Sequence, residues 1–70
     1  MKMLFIGGGN MAAALIGGLI ARGTSAADIV VADPSEAQRE SLAARFGVAA
    51  VPAADAATIG ASGLILLAVK

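Results

Sequence analysis

The sequence predicts an α/β fold in which the strands of a parallel sheet alternate with helices, in the order β-α-β-α-β-α-β. Short, continuous apolar runs are typical of strands buried on both faces, and they alternate with longer segments whose apolar residues recur at helical spacing. This alternation favours a parallel sheet with right-handed crossovers. Such crossovers place the strands in the order 3-2-1-4, with a switch point between strands one and four.

The first half of the chain contains a strand, a helix and a second strand. Met3–Ile6 is an apolar run that ends at glycines, and residues 10–22 follow with helical spacing. Gly23 stands where a left-handed residue commonly ends a helix. A polar turn then leads to the second strand, Ile29–Ala32, which ends at Asp33.

The second helix has two possible starts. Ser35 and Gln38 form an S-x-x-Q capping box, whereas Asp33 followed by Pro34 offers an alternative cap with proline at the first helical position. Gly47 is expected to end this helix. If Ser35 caps the helix, the Asp33 side chain is free to bind a ligand; if Asp33 is the cap, its side chain bonds to the helix instead.

The last part of the chain is predicted to form two short strands and a brief helix. Residues 48–51 form the third strand, Asp55 caps a helix that runs through Ile59 and is closed by Gly60, and residues 63–69 form the fourth strand. Because right-handed crossovers place the first two helices on one face, only the brief helix remains for the other face. We therefore expect exposed apolar area on the sheet, and we interpret the chain as the N-terminal portion of a longer protein.

Composition excludes several classes of function. Five basic and five acidic residues give zero net charge without a basic run, so we expect no nucleic-acid partner. The absence of cysteine and histidine excludes disulfides, thiolate nucleophiles and the usual zinc sites, and we predict no metal site. Histidine is also the commonest general acid or base, and no residue of the chain is predicted to be catalytic. The lack of cysteine is compatible with the cytoplasmic location that we expect.

The uncharged stretch between Lys2 and Arg22 resembles a signal peptide or a membrane span. Three consecutive glycines, Gly7, Gly8 and Gly9, interrupt this stretch, and each costs about 1 kcal/mol in a helix interior. We therefore expect no association with a membrane.

The glycines instead begin a motif. Residues 7–12 read Gly-Gly-Gly-Asn-Met-Ala and fit G-x-G-x-x-[GA], directly after a strand and at the start of a helix. Gly7 permits a tight turn, Gly9 lets the backbone approach a pyrophosphate, and Ala12 is small enough for close helix–strand packing. An acidic residue, Asp33, follows roughly 20 positions beyond Ala12, where a carboxylate binds the adenosine ribose. This context predicts a Rossmann-type unit that binds NAD or NADP through Gly7, Gly8, Gly9, Asn10, Met11, Ala12 and Asp33.

Two further kinds of glycine-rich loop do not fit this part of the chain. A P-loop requires G-K-[ST], which does not follow, and a kinase glycine loop leads into a strand, whereas a helix comes next here. A strand–turn–helix whose glycines serve only packing remains the alternative.

Several candidate residues have two interpretations. Asp33 either accepts hydrogen bonds from the ribose hydroxyls and disfavours a 2′-phosphate, or caps the second helix. Ser35 and Arg39 are possible partners of a 2′-phosphate, so the choice between NAD and NADP stays open. Asn10 either bonds a phosphate or caps its own helix, and we favour the cap. Lys70 is either a ligand contact or a solvated terminus.

The carboxyl end of the fourth strand is a further candidate for cofactor contacts, because ligands of open α/β sheets lie at that edge. The residues predicted there are Ala68, Val69 and Lys70.

Beyond the glycine pattern, the chain resembles pyrroline-5-carboxylate reductases over essentially its whole length. The residues that carry the resemblance are Phe5 to Ala12 (FIGGGNMA), Ala14 to Leu19 (ALIGGL), Asp33-Pro34-Ser35, Phe46-Gly47-Val48 and Leu67 to Lys70 (LAVK). The stretch G-N-M-A-x-A-[LI]-x-x-G-L is much more specific than the glycines alone.

The resemblance implies hydride transfer from NADPH or NADH to 1-pyrroline-5-carboxylate, the last step of proline synthesis. It also implies a helical C-terminal domain, absent from this chain, that supplies most of the substrate site and forms a homodimer or higher oligomer. Many members favour NADPH and have a neutral residue in place of Asp33, so Asp33 leaves the cofactor preference open. Another imine or 2-hydroxyacid-type reductase, or a non-catalytic NAD(P)-binding module, remains an alternative.

Overall fold

The computed structural model describes residues 1–68 and contains a four-stranded parallel sheet in the order β3-β2-β1-β4. The predicted fold class and strand order are therefore confirmed. The elements are β1 (Met3–Ile6), α1 (Asn10–Ala21), β2 (Ile29–Ala32), α2 (Glu36–Phe46), β3 (Ala49–Val51), α3 (Ala56–Ala61) and β4 (Leu64–Leu67), with a 3₁₀ turn at Ala26–Asp28.

Strand β1 lies at the centre of the sheet, between β2 and β4. Met3 is in register with Ile29 on one side and with Leu64 on the other. The ladders continue past the ends of the strands, because the Gly7 N–H donates to the Ala32 carbonyl at 2.8 Å. Backbone bonds of this kind fix the carboxyl edge of the sheet.

The core lies between the sheet and the pair of helices α1 and α2. Phe5 and Val31 point from the sheet toward these helices, and Ile16 of α1 and Leu42 of α2 meet them; all four side chains are fully or almost fully buried. Burial of each such side chain contributes about 1.5–3 kcal/mol relative to exposure. Helix–sheet packing on this face therefore supplies most of the apolar burial that orders the carboxyl edge.

The opposite face of the sheet is covered only in part. Residues of α3, β2 and β3 line an open cleft on this face. β4 keeps exposed apolar side chains on both of its faces, with Leu67 70% exposed and Leu64 and Ile65 each 42% exposed. This confirms the expected exposed apolar area. Within residues 1–68, no helix is both long enough and apolar enough to cross a membrane.

Most predicted helix ends are confirmed, with one clear exception. Gly23 and Gly47 have the left-handed backbone predicted for residues that follow a helix. Gly60 does not close α3, however, because this helix continues through Ala61. The Ser62 hydroxyl donates to the Thr58 carbonyl at 2.8 Å, and this bond supports the last turn without a left-handed residue.

Candidate functional site

The glycine turn leaves β1 through a backbone conformation that suits glycine. Gly7 has φ +104°, in a region that side-chain-bearing residues rarely adopt. Its N–H is already paired with the Ala32 carbonyl, so the turn starts from a fixed point on the sheet. The chain then passes through Gly8 and Gly9 to the start of α1.

The N-terminus of α1 presents backbone donors to this edge of the sheet. The first N–H groups of a helix have no partner within it, and here the first helical bond runs from the Ala13 N–H to the Gly9 carbonyl. Gly9 is the N-cap, with an extended backbone and no side-chain cap bond. The expectation that Asn10 caps the helix is therefore wrong, because Asn10 is already the first helical residue. The open donors and the positive end of the helix dipole favour an anion.

The Asp33 side chain joins the glycine turn to the start of α2. Its Oδ2 accepts the Gly8 N–H at 2.6 Å, and its Oδ1 accepts the Ser35 N–H at 2.7 Å. Ser35 is the N-cap of α2, and its hydroxyl accepts the Gln38 N–H at 3.3 Å. The start with Asp33 as cap is therefore wrong, and α2 begins at the alternative cap, Ser35. Only half of the predicted capping box is formed, because the Ser35 N–H donates to Asp33 and not to the Gln38 side chain.

Gly8 has little room for a side chain. A Cβ placed there would lie 3.1 Å from Cδ1 of Leu42 and 3.2 Å from Oδ2 of Asp33. Both distances are tighter than ordinary van der Waals contact, so the middle glycine of the motif lets the turn lie close to α2 and to the carboxylate.

A cleft of about 360 Å³ opens between the glycine turn, the end of β2 and the start of α2. This volume is within the range of roughly 300–1,000 Å³ that small-molecule sites occupy. The residues that line it are Gly7, Gly8, Gly9, Asn10, Met11, Asp33, Gln38 and Ala68. The structure thus brings together, in one cleft, most of the residues that the sequence predicts to contact a cofactor.

Four predicted contacts are not among the lining residues. Ala12 is fully buried in the core, which agrees with the packing role predicted for it. Ser35 caps α2 beside the cleft. Val69 and Lys70 lie outside the described residues.

Gln38 lines the cleft although the sequence predicts only a capping role for it. A Cβ at Gly9 would lie 3.9 Å from Nε2 of Gln38, so this amide stands across the cleft from the glycine turn. The S-x-x-Q spacing already places Gln38 one turn into α2, on the side of its N-cap. The sequence does not show how the crossover packs the first turn of α2 next to the start of α1, and this packing brings Gln38 to the cleft.

The cleft suits the pyrophosphate and adenosine ribose of a dinucleotide. Helix N–H groups of the kind found at the start of α1 are typical partners of a pyrophosphate, and a carboxylate at the end of the second strand, where Asp33 stands, is the group that accepts ribose hydroxyls in such folds. The absence of a side chain at Gly9 keeps the space between the turn and Gln38 open. Among residues 1–68, no cationic side chain lines the cleft.

Comparison with protein families matches residues 2–70 to the family described as NADP oxidoreductase coenzyme F420-dependent. The chain belongs to this family. The match covers nearly every residue and includes the whole glycine motif and the residues that line the cleft. A nicotinamide dinucleotide is accordingly the cofactor that the family supports for this chain.

Three curated relatives of this chain have the same name, pyrroline-5-carboxylate reductase. The chain is 42% identical over 69 residues to the pyrroline-5-carboxylate reductase of Pseudomonas aeruginosa and 48% identical over 72 aligned positions to that of Pasteurella multocida. Each alignment covers 99% of this chain but only 25% and 26% of those relatives. A third match, to the enzyme of Vibrio alginolyticus, has 47% identity over 67% of this chain and 17% of the relative. The resemblance predicted from the sequence is confirmed, and the chain spans about a quarter of the length of the first two relatives.

Proposed function

We propose that this chain is the cofactor-binding part of a pyrroline-5-carboxylate reductase, which reduces 1-pyrroline-5-carboxylate to proline with NADPH or NADH. One combined observation carries the proposal. The chain has a cleft that suits a dinucleotide, and the residues that form this cleft lie within the segment that matches reductases of that name. A substrate of this kind is a small molecule, and hydride reduction of its C=N bond requires a bound dinucleotide.

Each part of the cleft has a separate task in this proposal. The N–H groups at the start of α1 bind the pyrophosphate, and Gly9 lets the phosphates approach the backbone. Asp33 accepts a ribose hydroxyl while it holds the Gly8 N–H. Ala68, whose N–H extends the sheet by a bond to the Ile6 carbonyl at 2.8 Å, borders the nicotinamide side in this proposal. Val69 and Lys70 stay predicted contacts outside the described residues. When bound, the cofactor supplies the hydride.

Residues that contact the substrate are proposed to lie outside this chain. The side chains that line the cleft within residues 1–68 come from Asn10, Met11, Asp33, Gln38 and Ala68, and the one carboxylate among them is assigned to the ribose in this proposal. A helical C-terminal domain, which also forms a homodimer or higher oligomer, is the proposed source of the substrate site. The length of the relatives supports this proposal, since it leaves about three quarters of each one unmatched.

Cofactor titration tests the proposal. We expect the purified protein to bind NADH or NADPH, and we expect Gly9→Ala to weaken that binding about tenfold, because the added methyl group enters the cleft. Gly18→Ala is the control, since Gly18 lies in α1, the helix that Gly9 precedes, and a Cβ there would have no neighbour within 4 Å.

Three outcomes distinguish the alternatives. Binding together with 1-pyrroline-5-carboxylate reduction by the whole enzyme supports the reductase. Dinucleotide binding by the whole enzyme without reduction of this substrate favours another reductase or a non-catalytic binding module. A protein that binds neither dinucleotide contradicts the proposal.

A further inference from the structure

Met11 places an exposed thioether in the dinucleotide cleft. It is the second residue of α1, it lines the cleft, and its side chain is 56% exposed. This position agrees with the tilt of helical side chains toward the helix N-terminus, which here is the side of the glycine turn. Among the cleft-lining residues within 1–68, Met11 has the largest apolar side chain.

The composition of the chain confines oxidation by peroxides to few side chains. The chain contains three methionines and no cysteine, histidine, tryptophan or tyrosine. A thioether is readily oxidised to a sulfoxide, which is polar and chiral where methionine is apolar and flexible. Without thiols or electron-rich rings to compete, the three methionines are the side chains of this protein that a peroxide attacks first.

The other two methionines lie at the opposite edge of the sheet. Met3 is the first residue of β1, about 13 Å from Gly7 at about 3.3 Å per strand residue, and it packs partly buried against the core. Met1 is 72% exposed and lies against the turn before β4, where a Cβ at Gly63 would come within 2.7 Å of its Cγ. Of the three methionines, Met11 alone combines exposure with a place in the cleft.

We propose that Met11 is a modification site at which hydrogen peroxide forms methionine sulfoxide and thereby lowers the affinity of the cleft for a dinucleotide. The sulfur lone pair attacks one peroxide oxygen, an S–O bond forms and the O–O bond breaks. The second oxygen leaves as water after it takes the proton of the first, so sulfur is oxidised by two electrons and the peroxide is reduced. The inference rests on the proposed function, because the modification acts through dinucleotide binding.

The sulfoxide oxygen alters the electrostatics of the cleft. It carries a partial negative charge and accepts hydrogen bonds, and Met11 holds it beside the open N–H groups at the start of α1. There it competes with the pyrophosphate for those donors and repels its charge. By linkage, a dinucleotide that prefers the thioether form must in turn disfavour oxidation of Met11.

The test treats the purified protein with hydrogen peroxide and locates each added oxygen by tandem mass spectrometry. We expect Met11 to be oxidised at least about fivefold faster than the partly buried Met3. NAD⁺ or NADP⁺, whichever binds more tightly, is then added at about ten times its Kd. We expect it to slow oxidation of Met11 about tenfold, in proportion to the unliganded fraction, and to leave the rate at Met1 unchanged.

Titration before and after treatment measures the effect on the cleft. We expect oxidation to weaken dinucleotide binding about tenfold with an unchanged melting temperature, and methionine sulfoxide reductases to restore the affinity. Met11→Leu has no thioether, so its affinity, whatever its starting value, should not respond to peroxide. Met3→Leu is the matched control and should respond as the unaltered protein does.

Four results would overturn the proposal. They are oxidation of Met11 no faster than that of Met3, an oxidised protein with unchanged affinity, a loss of affinity that accompanies unfolding, and an equal response of Met11→Leu and the unaltered protein. If the untreated protein binds a dinucleotide normally, these results refute the role of Met11 alone. If the untreated protein binds neither dinucleotide, the proposed function fails as well.

Discussion

The Asp33 carboxylate accepts a hydrogen bond from the backbone N–H of Gly8, at 2.6 Å between Oδ2 and N. This bond joins the end of β2 to the turn that follows β1. A hydrogen bond to a charged acceptor contributes about 1.5–3 kcal/mol, roughly twice a neutral one. The same carboxylate is thus both a structural support of the glycine turn and the proposed partner of the ribose.

Asp33→Ser is expected to raise the affinity for NADP(H) relative to NAD(H), because it removes the negative charge closest to a 2′-phosphate. It also removes the charged acceptor of the Gly8 N–H, so we expect the free energy of unfolding to fall by about 1.5–3 kcal/mol. Fluorescence titration and thermal unfolding measure the two effects. Asp28→Ser, at the amino end of β2, is the matched control. An unchanged ratio of cofactor affinities would reduce Asp33 to its structural role.

Gly8→Ala is expected to destabilise the protein, since its Cβ would press on Leu42 and Asp33. Leu42→Ala alone should cost about 2–5 kcal/mol, as Leu42 is a fully buried core residue. The double variant should be less destabilised than the sum of the two single variants, because the smaller side chain makes room for the added methyl group. Denaturant unfolding of the four proteins gives this coupling energy. Additive effects would show that the turn escapes the contact by moving away from α2.

Gln38→Glu is expected to weaken dinucleotide binding about tenfold, because it places a negative charge across the cleft from the N-terminus of α1. Gln38→Ala should have a smaller effect, limited to the loss of amide contacts. Ala44→Glu introduces the same charge at an exposed position further along α2 and serves as control. Equal affinities for the Glu variants at positions 38 and 44 would remove Gln38 from the binding site.

Asp55 gives the protein a specific sensitivity to acid. The Thr58 backbone N–H, which donates to the Asp55 carboxylate at 2.7 Å, lowers the pKa of this carboxyl below its usual value of 3.8. A lowered pKa in the folded state stabilises the protein above about pH 3.8, and this contribution is lost as the pH falls through the folded-state pKa.

Thermal unfolding across pH 2–6 checks this sensitivity, with Asp55→Asn as the uncharged cap. We expect the melting temperature of the unaltered protein to exceed that of Asp55→Asn at pH 6 and the two to converge toward pH 2. A constant difference across the range would mean that the charge of Asp55 has no part in the cap.

The sequence predicts most of the fold, because strand and helix periods are local properties. The glycine turn and Asp33 could be placed as well, since G-x-G fixes a strand–turn–helix and Asp33 directly follows the next strand. The position of Gln38 in the cleft and the direction of the Asp33 carboxylate toward Gly8 could not be predicted, because both depend on how close the crossover brings α2 to α1. The predicted cap at Asn10 is wrong for a local reason: glycine at position 9 already supplies the extended residue that a helix needs before its first turn.

The central position of β1 has a consequence for how the chain acquires its structure. β1 is the first strand to be synthesised, yet its second neighbour, β4, is the last of the four. Pairings between residues so distant in sequence form slowly, because the intervening chain must be ordered first. A growing polypeptide therefore presents one unpaired, apolar edge of β1 until Leu64–Leu67 have left the ribosome. Any condition that slows synthesis between β3 and β4 should prolong the interval in which this edge is open to chaperones or to misassembly.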